Sequence, residues 1–225
     1  MLDSWFSSAA FYGAYLLRIA PAVLAAGLVT AELAMAAIAL GLLLAFAIAA
    51  LRFSPIPLLR GMAAVFVSVV RGTPVLIQMF LLYFGGPQVG IQLEPFTAGV
   101  LALGINIAAY MSEAIRGAVV AVDKGQFEAA RALGFSAHQT MVNFILPQAA
   151  RLMVRPLGVN AVALLKSTAL VSSISVVELT FTAQRFGNAS GNLFAVYGLA
   201  GLLYFVMVAG LTHLVNGLDR HYRLA

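Results

Sequence analysis

The feature that most constrains this chain is a series of five long apolar runs separated by short polar segments. A helix needs roughly 20 apolar residues to cross the hydrocarbon core of a bilayer. Each run reaches about that length, so we expect an all-α integral membrane protein. The expected spans cover about residues 21–51, 61–84, 96–122, 156–179 and 193–218.

Composition supports a membrane location over a soluble one. The 225 residues are 62% hydrophobic and only 9% charged, whereas soluble domains are about half apolar and a quarter charged. The net charge of +5 would suggest nucleic acid in a soluble protein. Here the basic residues lie beside the apolar runs, where they orient the chain in the bilayer, so no nucleic-acid partner is expected. With no repeat or linker, we expect residues 1–225 to form one transmembrane domain.

Some kinds of site are excluded or disfavoured. The chain has no cysteine, which rules out disulfides and thiolate chemistry. Its three histidines do not have metal-ligand spacing, so no metal site is expected. It also lacks the phosphate-binding motif GxxxxGK[ST] and therefore is not an ATPase. The N-terminus lacks a basic signal-peptide region, so the first apolar run is expected to remain as a span.

Basic residues predict the orientation of the spans. Cytoplasmic loops carry an excess of Lys and Arg, and one side of the predicted topology holds most of them. This puts the N-terminus outside, the 123–155 loop in the cytoplasm and the C-terminus in the cytoplasm. The cytoplasmic group comprises Arg52, Arg60, Arg116, Lys124, Arg131, Arg151, Arg155, Arg220 and Arg223, against Arg18 and Arg185 outside.

The 123–155 loop contains a water-facing helical hairpin. Asp123 and Gln126 have the spacing of a capping box, which predicts a helix start, and Gly134 is suited to the left-handed conformation that ends one. Ser136 and Gln139 predict a second capping box, and we expect Pro147 to stop the helix that follows.

Two further local features are predicted. Residues 11–19 are expected to form an interfacial helix before the first span. Gly72-Thr73-Pro74 predicts a kink in the second span, because proline removes a helical hydrogen bond.

The hairpin resembles the EAA signature of permease subunits in ATP-binding-cassette (ABC) importers. The match consists of Glu128-Ala129-Ala130, Gly134 and Leu146-Pro147 at the family spacing; Phe144 stands where the signature usually has isoleucine. Val70–Pro74, Lys166–Leu170 and Val177–Leu179 are similar to the polar amino acid uptake branch. In that family the segment is the coupling helix, which implies ATPase contact through Gln126, Phe127, Glu128, Ala129, Ala130, Arg131, Leu133, Gly134 and Phe135.

The resemblance also implies a fold and a set of partners. The fold is that of a type I importer permease in a bacterial inner membrane, paired with a second copy or a paralogue. Two ATPase subunits would bind ATP and Mg²⁺, which this chain would not, and an extracytoplasmic binding protein would deliver a polar amino acid. Transport would follow alternating access. The Lys166–Leu170 string and Phe194…Tyr197 favour a basic amino acid or an opine.

Charged and polar residues inside the spans are functional candidates, because a charge in the bilayer is costly unless it is paired or hydrated. Arg71 and Lys166 suit either substrate contact or structural pairing. The pathway candidates are Glu32, Arg71, Asn106, Lys166, Ser167 and Thr168, although the uncharged ones could equally join helices. Glu113 is expected to pair with Arg116. Glu178 suits an outer gate or, more simply, a solvated helix end.

Two other functions remain open at this point. The charges Glu32, Arg71 and Lys166 could form a proton relay in an ATP-independent transporter or channel. The hairpin alone would also suit a membrane scaffold for a soluble enzyme. Absence of an internal repeat disfavours the transporter.

Overall fold

The structure, a computed structural model, describes the backbone of residues 2–224 and the side-chain surroundings of residues 13–222. Its regular elements in that part of the chain are all helical, which confirms the predicted class. Short π-helical turns cover Leu81–Gly85 and Met141–Ile145, and 3₁₀ turns cover Gly86–Val89 and Thr168–Ile174. The α-helices are α1 (Leu2–Arg52), α2 (Pro57–Gly72), α3 (Val75–Phe80), α4 (Pro95–Val120), α5 (Lys124–Ala132), α6 (Ala137–Thr140), α7 (Leu146–Ser167), α8 (Leu179–Ser190) and α9 (Leu193–Leu224).

Four helical stretches are long and apolar enough to cross a bilayer unbroken: Gly13–Arg52, Pro95–Val120, Ala137–Ile174 and Leu193–Tyr222. The second predicted span is instead a broken pair, in which Pro57–Gly72 and Val75–Val89 meet at 103°. The predicted kink at Gly72-Thr73-Pro74 is therefore confirmed, and it is sharper than a bend within one helix.

The helix that contains the fourth predicted span begins earlier than expected. We expected Pro147 to stop a helix, yet helical structure runs from Ala137 through Pro147 and Pro156 to Ile174. The expectation is wrong because Pro147 follows a π-helical turn and occupies the first turn of α7. A missing N–H is tolerated at that position.

The segment before the first span is also continuous with it. The prediction of a separate interfacial helix over residues 11–19 is wrong, because α1 passes without a break through Pro21. Ile19 and Val23 are buried against Leu179, Ala183 and Val196, so this part of α1 packs on α8 and α9. The side chain of Phe11 lies outside the described residues.

Small residues bring α1 and α4 together at the centre of the bundle. A Cβ at Gly41 would overlap Ile107, and one at Gly104 would come within 2.8 Å of Leu40. Close approach through small residues is typical of membrane helices. The main core lies along this contact and extends to α7.

Polar contacts mark the two ends of the bundle. At one end, Arg52 pairs with Glu113 at 3.4 Å and Arg155 pairs with Asp219 at 2.8 Å. At the other, the Tyr15 hydroxyl donates to the Phe186 carbonyl at 3.1 Å. The α5–α6 hairpin belongs to the first end, since Gln148 of α7 donates to Gln126 of α5 there.

Candidate functional site

The α5 helix begins at an aspartate cap. The Asp123 carboxylate accepts a hydrogen bond from the Gly125 N–H at 2.7 Å, which satisfies one of the unpaired donors of the first turn. The predicted capping box with Gln126 is not formed. The Gln126 side-chain oxygen instead accepts from the Gln148 amide at 3.1 Å, so this residue ties α5 to α7.

A glycine motif ends α5 as predicted. Gly134 has a φ of +82°, and its N–H donates to the Arg131 carbonyl at 3.0 Å. The Phe135 N–H donates to the Ala130 carbonyl at 3.1 Å. These two bonds make a Schellman motif, which turns the chain sharply with the helix-end carbonyls paired.

The second helix of the hairpin starts with the predicted capping box. Gln139 N–H donates to the Ser136 hydroxyl at 3.2 Å, and Ser136 N–H donates to the Gln139 side-chain oxygen at 2.9 Å. Phe144, the residue that departs from the family signature, packs edge-on against Phe135 at 4.9 Å between ring centroids. The hairpin is therefore held by both capping and an aromatic contact.

The α5 helix divides into an anchored face and a presented face. Ala130 is buried, and Phe127 packs against the main core, so these two attach the helix to the bundle. The opposite face is open, and Leu133 is 76% exposed although it is apolar. The other exposed members of the predicted contact set are Gln126, Glu128, Ala129, Arg131 and Gly134, whereas Phe135 is half-buried.

A second candidate site is a cavity of about 470 Å³ bordered by the break in the second span, α4 and α7. The Arg71 guanidinium lies 5.1 Å from the ring centre of Tyr110, a cation–π distance. Among the described lining residues, Arg71 alone carries a formal charge. The polar lining residues are Arg71, Thr73, Asn106, Tyr110, Asn160 and Ser167.

Gln78 fixes the broken backbone beside this cavity. Its amide nitrogen donates to the Val70 carbonyl at 2.8 Å and to the Thr73 hydroxyl at 2.7 Å, on the far side of the break. Its amide oxygen accepts from Asn106 of α4 at 3.1 Å. One side chain therefore satisfies backbone freed by Pro74 and joins the break to α4.

The structure brings together half of the predicted pathway residues. Arg71, Asn106 and Ser167 line the cavity. Lys166 lines a neighbouring groove between α7 and α9. Thr168 is buried and donates to the Leu165 carbonyl at 2.7 Å, while Glu32 is exposed on α1 away from the cavity.

Sequence reasoning missed Asn160 and Tyr110 as lining residues. Asn160 was hidden because the predicted fourth span began only at Pro156, close to a boundary. The signal was present, since Asn160 and Ser167 are seven residues apart and share one helix face.

Sequence analysis also gave roles to two acidic residues outside the cavity, and the structure agrees with one of these predictions and not with the other. Glu113 pairs with Arg116, as predicted, with a shortest contact of 2.8 Å, and also with Arg52. Glu178 is not at a solvated helix end; it is fully buried and caps α8 through the Phe181 N–H at 2.7 Å. The prediction failed because α8, a short amphipathic helix, was not foreseen.

A family model described as the binding-protein-dependent transport system inner membrane component matches residues 37–223. The L-cystine transport system permease protein TcyB of Bacillus subtilis (strain 168) is 37% identical over 168 residues, which cover 74% of this chain and 72% of TcyB. The arginine transport system permease protein ArtQ of the same organism is 36% identical over 202 residues, covering 89% and 92%. The nopaline transport system permease protein NocM of Agrobacterium fabrum (strain C58 / ATCC 33970) is 35% identical over 205 residues, covering 87% and 85%.

Solved structures share the fold. A crystal structure of an amino acid ABC transporter with histidines aligns with a TM-score of 0.88 at 35% identity, covering 92% of this chain and 97% of that one. An inward-facing conformation of the MetNI methionine ABC transporter aligns with a TM-score of 0.66 at 16% identity, covering 91% and 95%. The second similarity concerns the fold alone.

Proposed function

This chain belongs to the family of inner-membrane components of binding-protein-dependent transport systems, and on that premise we propose that it is the permease subunit of an ATP-driven amino acid importer. Its fold is that of a type I ABC importer permease. In the proposed complex, two ATPase subunits bind ATP and Mg²⁺, a second copy or paralogue completes the pathway, and an extracytoplasmic binding protein delivers substrate. The complex lies in a bacterial inner membrane, with this chain's N-terminus outside and its hairpin and C-terminus in the cytoplasm.

The observation that carries the proposal is the exposed, doubly capped helix α5. Its open face offers Glu128, Arg131 and the apolar Leu133 to a soluble partner. Its other face is fixed to the bundle by Ala130 and Phe127. Because α5 is fixed to the bundle on one face, movement of an ATPase bound to its other face would move the bundle and not only displace the helix.

The continuous α6–α7 segment supplies the connection from hairpin to cavity. Gln126 and Gln148 join α5 to the start of α7, and the same helix carries Asn160 and Ser167 at the cavity wall. Closure of the ATPase pair on ATP binding would therefore tilt α7 and change the cavity opening, and hydrolysis would reset it. This is alternating access with α7 as the connecting element.

The cavity lining supports recognition of a carboxylate, which every amino acid has. Arg71 supplies the positive charge, and Asn106, Asn160 and Ser167 supply neutral hydrogen-bonding groups. For the substrate itself we propose a basic amino acid or an opine, in line with the names of ArtQ and NocM. Uptake competition with a panel of labelled amino acids tests this choice, and a preference for acidic side chains would contradict it.

A proton relay is less well supported. It would need Glu32, Arg71 and Lys166 to be connected, whereas Arg71 and Lys166 line separate cavities and Glu32 faces outward from α1. These three residues therefore do not form a connected relay in the described part of the chain.

Charge and backbone changes in the hairpin test the proposal. Glu128→Lys and Gly134→Asp should abolish transport and ATPase co-purification while leaving membrane insertion intact. Gly134→Asp acts through the strain of a side chain at φ +82°. The assignment fails if complexes carrying either change still stimulate ATP hydrolysis and accumulate substrate normally.

Matched controls lie at the other end of the bundle. Glu94→Lys makes the same charge change on an exposed residue before α4. Gly90→Asp makes the same backbone change, since Gly90 also has φ +82° and, as at Gly134, an added Cβ would meet nothing within 4 Å. Both controls should retain the ATPase, because neither residue is near the hairpin.

A further inference from the structure

Two opposite charges lie on outward faces of the bundle. Glu32 on α1 and Lys166 on α7 are both exposed. Within the described residues, neither side chain makes a hydrogen bond or an ion pair. A charge inside a bilayer is costly unless it meets an opposite charge or water. Each of these faces therefore requires a partner surface that this chain alone does not provide.

The Glu32 face is otherwise apolar. Leu33 and Ala37 point into the bundle and are fully buried, and Glu32 lies on the opposite side of α1. Its neighbours on that side are Leu28, 73% exposed, and Met35, 66% exposed. We call Leu28, Glu32, Met35 and Leu43 the α1 stripe; it is a row of large apolar side chains with one carboxylate.

The Lys166 face is a groove of about 690 Å³ between α7 and α9. Its walls are largely apolar, with Val159, Val162 and Val215 among them. Arg155 lies at its end and already pairs with Asp219. Among the described lining residues, Lys166 is thus the cation that remains for a partner. The α7–α9 groove and the α1 stripe have complementary charge and a shared apolar character.

The two charges also lie at similar depth. Phe46 of α1 and Met153 of α7 line one pocket and so mark a common level. Glu32 is 14 residues before Phe46, and Lys166 is 13 residues after Met153. At about 1.5 Å per helical residue, both charges are roughly 20 Å from that level. A two-fold axis along the membrane normal preserves depth, so it can bring these charges together across two copies.

We propose that the α1 stripe of one copy fills the α7–α9 groove of a second copy, with Glu32 paired to Lys166 across the interface. Two-fold symmetry makes the pair twice and leaves neither charge in lipid. Ala163 lines both the groove and the Arg71 cavity, so the second copy is brought beside the cavity wall. This inference rests on the proposed function, in which two permease copies share one pathway.

The natural absence of cysteine makes the interface directly testable. Glu32→Cys and Lys166→Cys are placed on differently tagged copies, co-expressed with the rest of the complex, and treated with a short bifunctional thiol reagent. A covalent dimer containing both tags is expected. The control replaces Glu32→Cys with Leu17→Cys, which is 78% exposed and 15 residues away on α1. At this distance, roughly 22 Å along the helix, the control pair should not cross-link.

Charge exchange separates pairing from proximity. Glu32→Lys and Lys166→Glu, each alone, should lower recovery of an untagged copy with a tagged one, and the double exchange should restore it. No cross-link from the Glu32 and Lys166 pair, or no rescue by the double exchange, would overturn the interface. ATPase co-purification is measured in the same samples. If the ATPase is retained but the cross-link fails, the interface alone is rejected. If the ATPase is absent from unmodified complexes although the cross-link forms, the proposed function alone is rejected.

Discussion

At the scale of single residues, the buried carboxylate of Glu178 joins three helices. One oxygen accepts the Phe181 N–H at 2.7 Å, and the other accepts the Tyr204 hydroxyl at 2.9 Å. The Thr30 hydroxyl lies 3.5 Å from the second oxygen and also accepts the Leu179 N–H at 3.1 Å. Helices α1, α8 and α9 thus meet at one polar group without exposure to water.

Glu178→Ala should therefore destabilise the protein. The change removes the acceptor of the Phe181 N–H and leaves the Tyr204 hydroxyl only its contact with Thr180 at 3.0 Å; an unsatisfied buried group costs about 1–3 kcal/mol. Glu178→Gln keeps an oxygen for Phe181 and should cost less. Thermal unfolding in detergent measures the order wild type, Gln, Ala. Equal midpoints for wild type and Glu178→Ala would show that these bonds do not hold α8.

Residue-scale reasoning from sequence identified Glu178 as a candidate but misplaced it. A glutamate before an apolar run is compatible with a solvated helix end or with a buried cap, and local sequence does not choose between them. The choice depends on Thr30 and Tyr204, which are 148 and 26 residues away along the chain. Asn106 and Ser167 were found more easily, because a polar residue within an apolar span is conspicuous wherever it packs.

At the scale of elements, the hairpin was predictable because its signals are local. Asp123, Gly134 and the Ser136–Gln139 box act within a few residues of themselves, and the structure forms each of these caps or turns. The prediction that Pro147 stops a helix was wrong because the effect of this proline depends on the π-helical turn before it, which no short sequence pattern indicates. The resulting continuous α7 gives the proposed coupling mechanism its connection to the cavity.

The broken second span is the element on which the cavity most depends. Gln78 bonds to Val70 and Thr73 across the break and to Asn106 of α4. Gln78→Met and Asn106→Leu should each lower stability, and the double variant should lose less than the sum, because the shared hydrogen bond can be lost only once. We expect a coupling energy of about 1 kcal/mol in a double-mutant cycle of unfolding free energies. Strict additivity would mean that the break is held independently of α4.

At the scale of the whole molecule, the ion-paired arginines lie at the end of the bundle that holds the hairpin. Arg52 and Arg116 meet at Glu113, and Arg155 meets Asp219, all at the hairpin end. Arg185 lies next to Phe186, whose carbonyl accepts from Tyr15 at the other end. The positive-inside rule applied to this distribution supports the proposed location of the hairpin in the cytoplasm. The side chain of Arg223, which belongs to the predicted cytoplasmic group, lies outside the described residues.

Labelling of single cysteines in this cysteine-free chain tests that orientation with two equally open positions. Val89 is 75% exposed before α4, and Leu133 is 76% exposed in the hairpin. A membrane-impermeant maleimide should label Val89→Cys on intact cells, and Leu133→Cys only after the membrane is opened, with the chain expressed without its ATPase. Because exposure is matched, a difference in labelling reports the side of the membrane and not accessibility. The reverse pattern would invert the assignment and place the hairpin beyond the reach of any cytoplasmic ATPase, which would also contradict the proposed coupling.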